Sequence, residues 1–192
     1  MTATHVVWFR NDLRITDNRA LHAACQDPLA KVIAVYIATP EQWKQHDMAP
    51  RQAAFIHQNL QCLVHALAGK NIPLFYHQST DFTASAKWLV DFCQKNEATD
   101  LFYNRQYELN ERRRDDAVAE LLAGTCGIHS FDDALLLPPG SVVTGSGEMY
   151  KVFTPFRNAF LQRLTHSDVR SLPAPKTRDQ ACEMSEINPF DY

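Results

Sequence analysis

The stretch VVWFRNDLRITDN, residues 6–18, decides the fold. Four bulky apolar residues, Val6 to Phe9, read as a strand that is to be buried. Polarity then changes abruptly, with Arg10, Asn11, Asp12, Arg14, Asp17 and Asn18 crowding the next nine positions. A strand buried on both faces that empties into a polar loop is the pattern of a parallel α/β sheet, where ligands meet the carboxyl ends of the strands.

Working outward, strand-like and helix-like segments alternate. NRALHAAC (18–25) puts Leu21, Ala24 and Cys25 on one helical face, with Asp17 or Asn18 as cap. KVIAVYI (31–37) is a second continuous apolar run. Residues 51–68 place Ile56, Leu60, Leu63 and Leu67 at helical spacing, stopped by Gly69. IPLFY (72–76) reads as a third strand, and 81–95 as a helix carrying Phe82, Ala86, Leu89, Val90 and Cys93 inward. DLFYN (100–104), a helix over 110–122 closed by Gly124, and GIHSF (127–131) complete the series. This rhythm predicts right-handed crossovers and a doubly wound, Rossmann-like, five-stranded parallel sheet in the order 3-2-1-4-5, with helices on both faces.

After Asp133 the rhythm breaks. Residues 1–133 are expected to form the α/β core, and 134–170 a closing loop and a helix from about Thr154, with Pro155 in its first turn. Residues 171–192, with Pro173, Pro175, Lys176, Arg178 and Pro189, have the composition of a linker that leads to a further domain.

The 192 residues are 45% hydrophobic and 21% charged, in the ordinary globular range and enough for one sizeable core. The longest apolar runs fall far short of the ~20 residues a spanning helix needs, and Arg10 interrupts any signal-peptide pattern. Five cysteines, at 25, 62, 93, 126 and 182, are scattered with no zinc spacing, which fits buried free thiols in a reducing cytoplasm. A net charge of −3 with mixed signs lacks the basic stripe of a chain that binds DNA alone.

In the order 3-2-1-4-5 the first and fourth strands flank the point where strand order reverses. Their exits, RNDLR (10–14) and NRQYELNE (104–111), are the most polar in the chain. Arg and Asp at a strand end can simply pair to fasten a loop, but amide, aromatic and carboxylate groups together suit a small-molecule pocket. The cleft is therefore expected between these exits, bordered by Phe9, Arg10, Asn11, Asp12, Tyr107, Asn110 and Glu111. No GxGxxG or GxxxxGK[ST] is present, and GSG (145–147) lies after the sheet, so an amide-reading heterocycle fits better than a dinucleotide or ATP.

VWFRNDLRITDN, YIATPEQW (36–43), MAPRQ (48–52), LFYNRQYELNERRRD (101–115) and TGSGEMYKVFTPF (144–156) closely resemble, in order, the N-terminal domain of class I cyclobutane pyrimidine dimer DNA photolyases of the photolyase/cryptochrome superfamily. The match runs from His5 to about Leu164. The resemblance implies light-driven repair of ultraviolet-induced pyrimidine dimers. A C-terminal helical domain, absent here, binds FAD and the damaged DNA, whose lesion is flipped out of the duplex. It implies that this domain carries an antenna chromophore, usually 5,10-methenyltetrahydrofolate and sometimes a deazaflavin, that passes excitation to the flavin. Family motifs carried over to QYELNER (106–112) and QHDMAPR (45–51) nominate Asn110 and Glu111, then His46, Met48 and Arg51. Glu111 could accept from the pterin amino and ring N–H groups as a charge-assisted partner.

By the same resemblance the fragment alone is expected to contain no catalytic residue and to be inactive as a deoxyribodipyrimidine photo-lyase. It is expected to meet DNA only through the absent domain, and to be a cytoplasmic monomer or weak dimer. RRR (112–114), set among Glu108, Glu111, Asp115 and Asp116, reads as a solvated ion-paired face rather than a phosphate site. MYKVFTPF reads as architecture that packs the domain and its seam. Two other readings stay open: the same domain of a cryptochrome, and a stand-alone flavodoxin-like domain.

Overall fold

In β1 (Thr4–Phe9) all six positions are buried, because the strand lies at the centre of the sheet with helices over both faces. Its side chains alternate: Val7 and Phe9 enter one apolar cluster, Val6 and Trp8 the other. The computed structural model describes residues 2–165, 169–183, 186–190 and 192. Around β1 the sheet runs β3-β2-β1-β4-β5, with β2 at Lys31–Ala38, β3 at Leu74–Gln78, β4 at Asp100–Asn104 and β5 at Gly127–Phe131. Every pairing is parallel, with Val6 opposite both Ile33 and Leu101. The strand order expected from the alternation of elements is the order found.

One face is covered by α1 (Arg19–Ala24) and α3 (Pro50–Ala68), whose Leu21, Leu60, Leu63 and Leu67 meet Val7, Val32 and Ala34. The other is covered by α4 (Phe82–Lys95) and α5 (Leu109–Leu121), through Leu89, Val90, Cys93 and Val118 against Trp8, Ile33 and Leu101. Caps set the helix starts. Asn18, of the two candidates, accepts from the Leu21 N–H at 3.0 Å, and Asp81 accepts from the Ala84 N–H at 2.8 Å. Gly127 opens β5 because a Cβ there would collide with the Asp100 carboxylate.

Several expectations need correction. A further short helix, α2 (Pro40–Gln45), follows β2 directly; six residues are too few to display a helical period. Cys62, expected to be buried, is exposed, because α3 turns Leu60, Leu63 and Leu67 to the core and Cys62 to water. Arg114, expected on a solvated face, is buried. The last helix, α6 (Phe153–Arg163), has no buried residue, and its aromatics Phe153, Phe156 and Phe160 contact one another rather than the core.

The segment read as linker packs back along the domain. Arg178 is buried and donates to the carbonyls of Cys25, Asp27 and Ala30. Gln180 takes both main-chain groups of Val32, at 3.0 and 2.7 Å, below the point where β3 begins to pair with β2. Ile187 joins the core, and the Phe190 ring packs edge-on against Trp43, 5.1 Å between centroids.

Candidate functional site

The β1 exit is tied to the end of β4. Arg10 donates to Asp115 Oδ1 and Oδ2 at 3.0 and 3.2 Å, and to the Asn104 carbonyl at the end of β4. Asp12 accepts from Asn104 Nδ2 at 2.6 Å and Asn18 Nδ2 at 3.1 Å, and Asn104 Oδ1 accepts from the Ala20 N–H. One hydrogen-bonded knot thus fastens the β1 exit, the start of α1 and the end of β4. Much of the polarity that marks this stretch in the sequence is spent on that fastening.

A second cation joins the knot. Arg114, one helical step before Asp115, donates to the same carboxylate at 2.8 Å and to Gln106 Oε1 at 2.9 Å. Both guanidinium carbons lie 4.5 Å from the centroid of a Trp8 ring, and the two pairs are completed by Tyr103 beside Arg10 and Phe82 beside Arg114. Burial pulls the Arg10 pKa down, and Arg114 adds to that, while Asp115 and Asp12 oppose it. Arg10 Nε is buried with no hydrogen-bond partner.

Above this floor lies a cleft of about 280 Å³ on the β2 side of β1. Its aromatic walls are Tyr36, Trp43 and Phe82; its amides are Asn11, Gln42, Gln106 and Asn110; an imidazole comes from His46, and its charged groups are Glu111, Arg10 and Arg114. Gln42 Oε1 is buried and unpartnered there. A flat heterocycle between aromatic rings, offering N–H groups to Glu111 and Gln42 and acceptors to Asn110, matches this donor and acceptor set. Among the described residues no group of three or more His, Cys, Asp or Glu is placed to hold a metal ion, and no helix is long and apolar enough to cross a membrane.

Of the residues expected here, Arg10, His46, Met48, Asn110 and Glu111 line the cleft, as does Asn11. Phe9 does not: it is fully buried in the core beneath. Asp12 and Tyr107 border a smaller neighbouring cavity of about 150 Å³, separated from the cleft by Arg10 and Gln106. There burial and a hydrogen bond to Asp132 push the Tyr107 hydroxyl up to about 12. Arg51 is exposed in the first turn of α3 and does not line the cleft. The larger cleft thus sits between the β1 and β2 exits and α5, while the expected β1–β4 gap, narrowed by the Arg10–Asn104–Asp12 knot, keeps only the smaller cavity. Tyr36, Ile37, Thr39, Gln42 and Trp43 were missed. The available signal was YIATPEQW, a strand exit running straight into Pro at a helix start with an aromatic one turn on.

Residues 5–176 match the profile of the DNA photolyase family, described as "DNA photolyase". Among curated proteins, the deoxyribodipyrimidine photo-lyase of Salmonella typhimurium is 52% identical over 186 residues, covering 97% of this chain and 39% of that protein. That of Escherichia coli is also 52% identical, over 175 residues, covering 91% and 37%. Among solved structures, a class III photolyase from Agrobacterium tumefaciens superposes with a TM-score of 0.73 at 28% identity, over 97% of this chain and 37% of its own. A Synechocystis cryptochrome superposes at 0.77 but is 20% identical, a likeness of fold alone. The fold and the family match together define an α/β domain of the DNA photolyase type, and the chain belongs to the DNA photolyase family. It spans under two fifths of the length of the two curated relatives, at their N-terminal end.

Proposed function

We propose that the cleft is the antenna site of a deoxyribodipyrimidine photo-lyase, holding a folate, 5,10-methenyltetrahydrofolate, rather than a deazaflavin. The observation that supports this most directly is the meeting of Asn110, Glu111 and His46, drawn from α5 and the end of α2, on one aromatic-walled cleft. Glu111 receives the pterin N–H groups, and its carboxylate favours a ligand with cationic character. Asn110 supplies a donor and an acceptor at the start of α5, where main-chain N–H groups are free of helical partners. Trp43, Tyr36 and Phe82 shield the ring from water, and the Arg10–Asp115–Arg114 floor holds the walls in place. When bound, the folate supplies near-ultraviolet absorption and passes excitation on.

The rest of the proposal follows the curated relatives named deoxyribodipyrimidine photo-lyase. FAD, the damaged DNA and the bond-breaking chemistry belong to the part of their length that this chain does not span. The test is a titration with 5,10-methenyltetrahydrofolate, followed by absorbance, for the wild type and Glu111→Ala in the full-length protein. Loss of Glu111 is expected to weaken binding by about 1.5–3 kcal/mol while flavin-driven repair persists. Unchanged occupancy in the variant refutes the assignment.

A further inference from the structure

We propose that the groove between α4 and α5 is a carboxylate subsite of this cleft, in which Lys87 and Arg113 hold the glutamate end of the folate. The inference rests on the folate reading above. The groove is a cavity of about 380 Å³ that adjoins the cleft, with Gln42, Phe82, Asn110 and Arg114 lining both. The cleft alone, at about 280 Å³, lies at the lower limit for small-ligand sites, which run from ~300 Å³ upward. It accommodates a bicyclic heterocycle and leaves a benzoyl-glutamate outside.

The groove has the chemistry for that remainder. Its floor is apolar, from Phe82, Ala86, Ala117 and Leu121, and suits a benzoyl ring. Leu121 is 54% exposed although it caps this floor. The flanking cations Lys87 and Arg113 are solvent-exposed, and among the described residues neither has a carboxylate within ion-pair distance. The third cation, Arg114, is already committed to Asp115 and Gln106. The acid on the wall, Asp81, is engaged in capping α4. Two free cations face the two carboxylates of one glutamate. Glu111 in the cleft repels those carboxylates, so the charge pattern also sets which end of the ligand enters where.

The experiment titrates the chain with 5,10-methenyltetrahydrofolate and with the matching methenyltetrahydropteroamide, in which an uncharged carboxamide replaces the glutamate. Wild type is expected to prefer the folate by about tenfold, the contribution of one charge-assisted hydrogen bond. Lys87→Glu combined with Arg113→Glu is expected to abolish the preference while leaving pteroamide affinity unchanged; the milder Lys87→Gln, Arg113→Gln pair gives a partial loss. An undiminished preference in the charge-reversed chain, or none in wild type, overturns the proposal. A second probe, 4-aminobenzoylglutamate alone, is followed by the amide shifts of Ala86, Lys87, Arg113 and Ala117. If neither pteroyl compound binds but this probe shifts those amides, and fails to in the charge-reversed chain, the folate reading falls and the carboxylate groove stands. If the probe shifts nothing, the groove proposal falls whatever the pteroyl compounds do.

Discussion

Asp115 stands between two buried guanidinium groups that both pack on Trp8, and its removal leaves like charges near each other in a low-dielectric floor. Asp115→Ala is expected to cost about 3–5 kcal/mol of stability, the usual penalty for stranding buried charge, read as a lowered urea midpoint. Glu111→Ala, on the same helix but partly exposed, is expected to stay within about 0.5 kcal/mol. The contrast separates the residue that builds the site from the residue that reads the ligand. At the opposite end of the sheet, Asp100 accepts from His129 at 2.7 Å and lies 3.7 Å from His5. Burial alone would raise its pKa, but the hydrogen bond from His129, with the nearby Thr99 and His5, outweighs it, and the net shift is downward from 3.8. The folded carboxylate therefore binds fewer protons than the unfolded one. Its stabilisation is complete above about pH 4 and drains as pH falls through the folded value. Asp100→Asn is expected to flatten the acid limb of the stability curve below pH 4 and to lower stability at pH 7. A limb identical to wild type refutes this role.

At the scale of elements, the wall of the cleft depends on a segment far away in sequence. α2 and the loop that follows it supply Gln42, Trp43, His46 and Met48, yet α2 has only six residues, too few to be stable alone. The C-terminal segment holds it down. Phe190 packs on Trp43 and His57, the Ile187 carbonyl meets His57 at 3.1 Å, and the Tyr192 hydroxyl donates to the Met48 carbonyl. Phe190→Ala is expected to cost about 1–2 kcal/mol from lost apolar contact. It is also expected to change Trp43 fluorescence and weaken folate binding, although Phe190 is not a wall of the cleft. Unchanged Trp43 emission counts against this buttress.

For the whole molecule, the two apolar clusters give the sheet a complete core, whereas α6 and its approach leave Met149, Val152, Phe153 and Leu161 exposed. An isolated helix of 11 residues is marginal in water without a buried face. Amide exchange in α6 is therefore expected to be the fastest of any helix in the chain alone, and to slow in the full-length protein if the remaining domain covers this side. The chain by itself is expected to carry no FAD and to repair no dimers; yellow protein with stoichiometric flavin, or light-dependent repair by residues 1–192, would reverse the assignment of the two halves. The fold was legible because period and burial are local quantities. A run such as VVWF or KVIAVYI declares a strand covered on both faces, and the crossover rule then leaves few sheets to choose from. The cation–carboxylate chemistry near Arg10 and the pair Asn110 and Glu111 were equally visible as residue types. What the chain order could not show is which polar groups satisfy each other. Arg10, Asp12 and Asn104 look like a ligand-binding rim in sequence, but in space they are one another's partners, and the larger cleft lies on the β2 side. Arg114 looks solvated among its acidic neighbours but is drawn inside by Trp8, Phe82 and Asp115, contacts across up to 106 positions of chain. Residues 171–192 read as linker because they have no period, and an aperiodic strap is held by single contacts such as Arg178 on three carbonyls, which only the tertiary structure brings into reach.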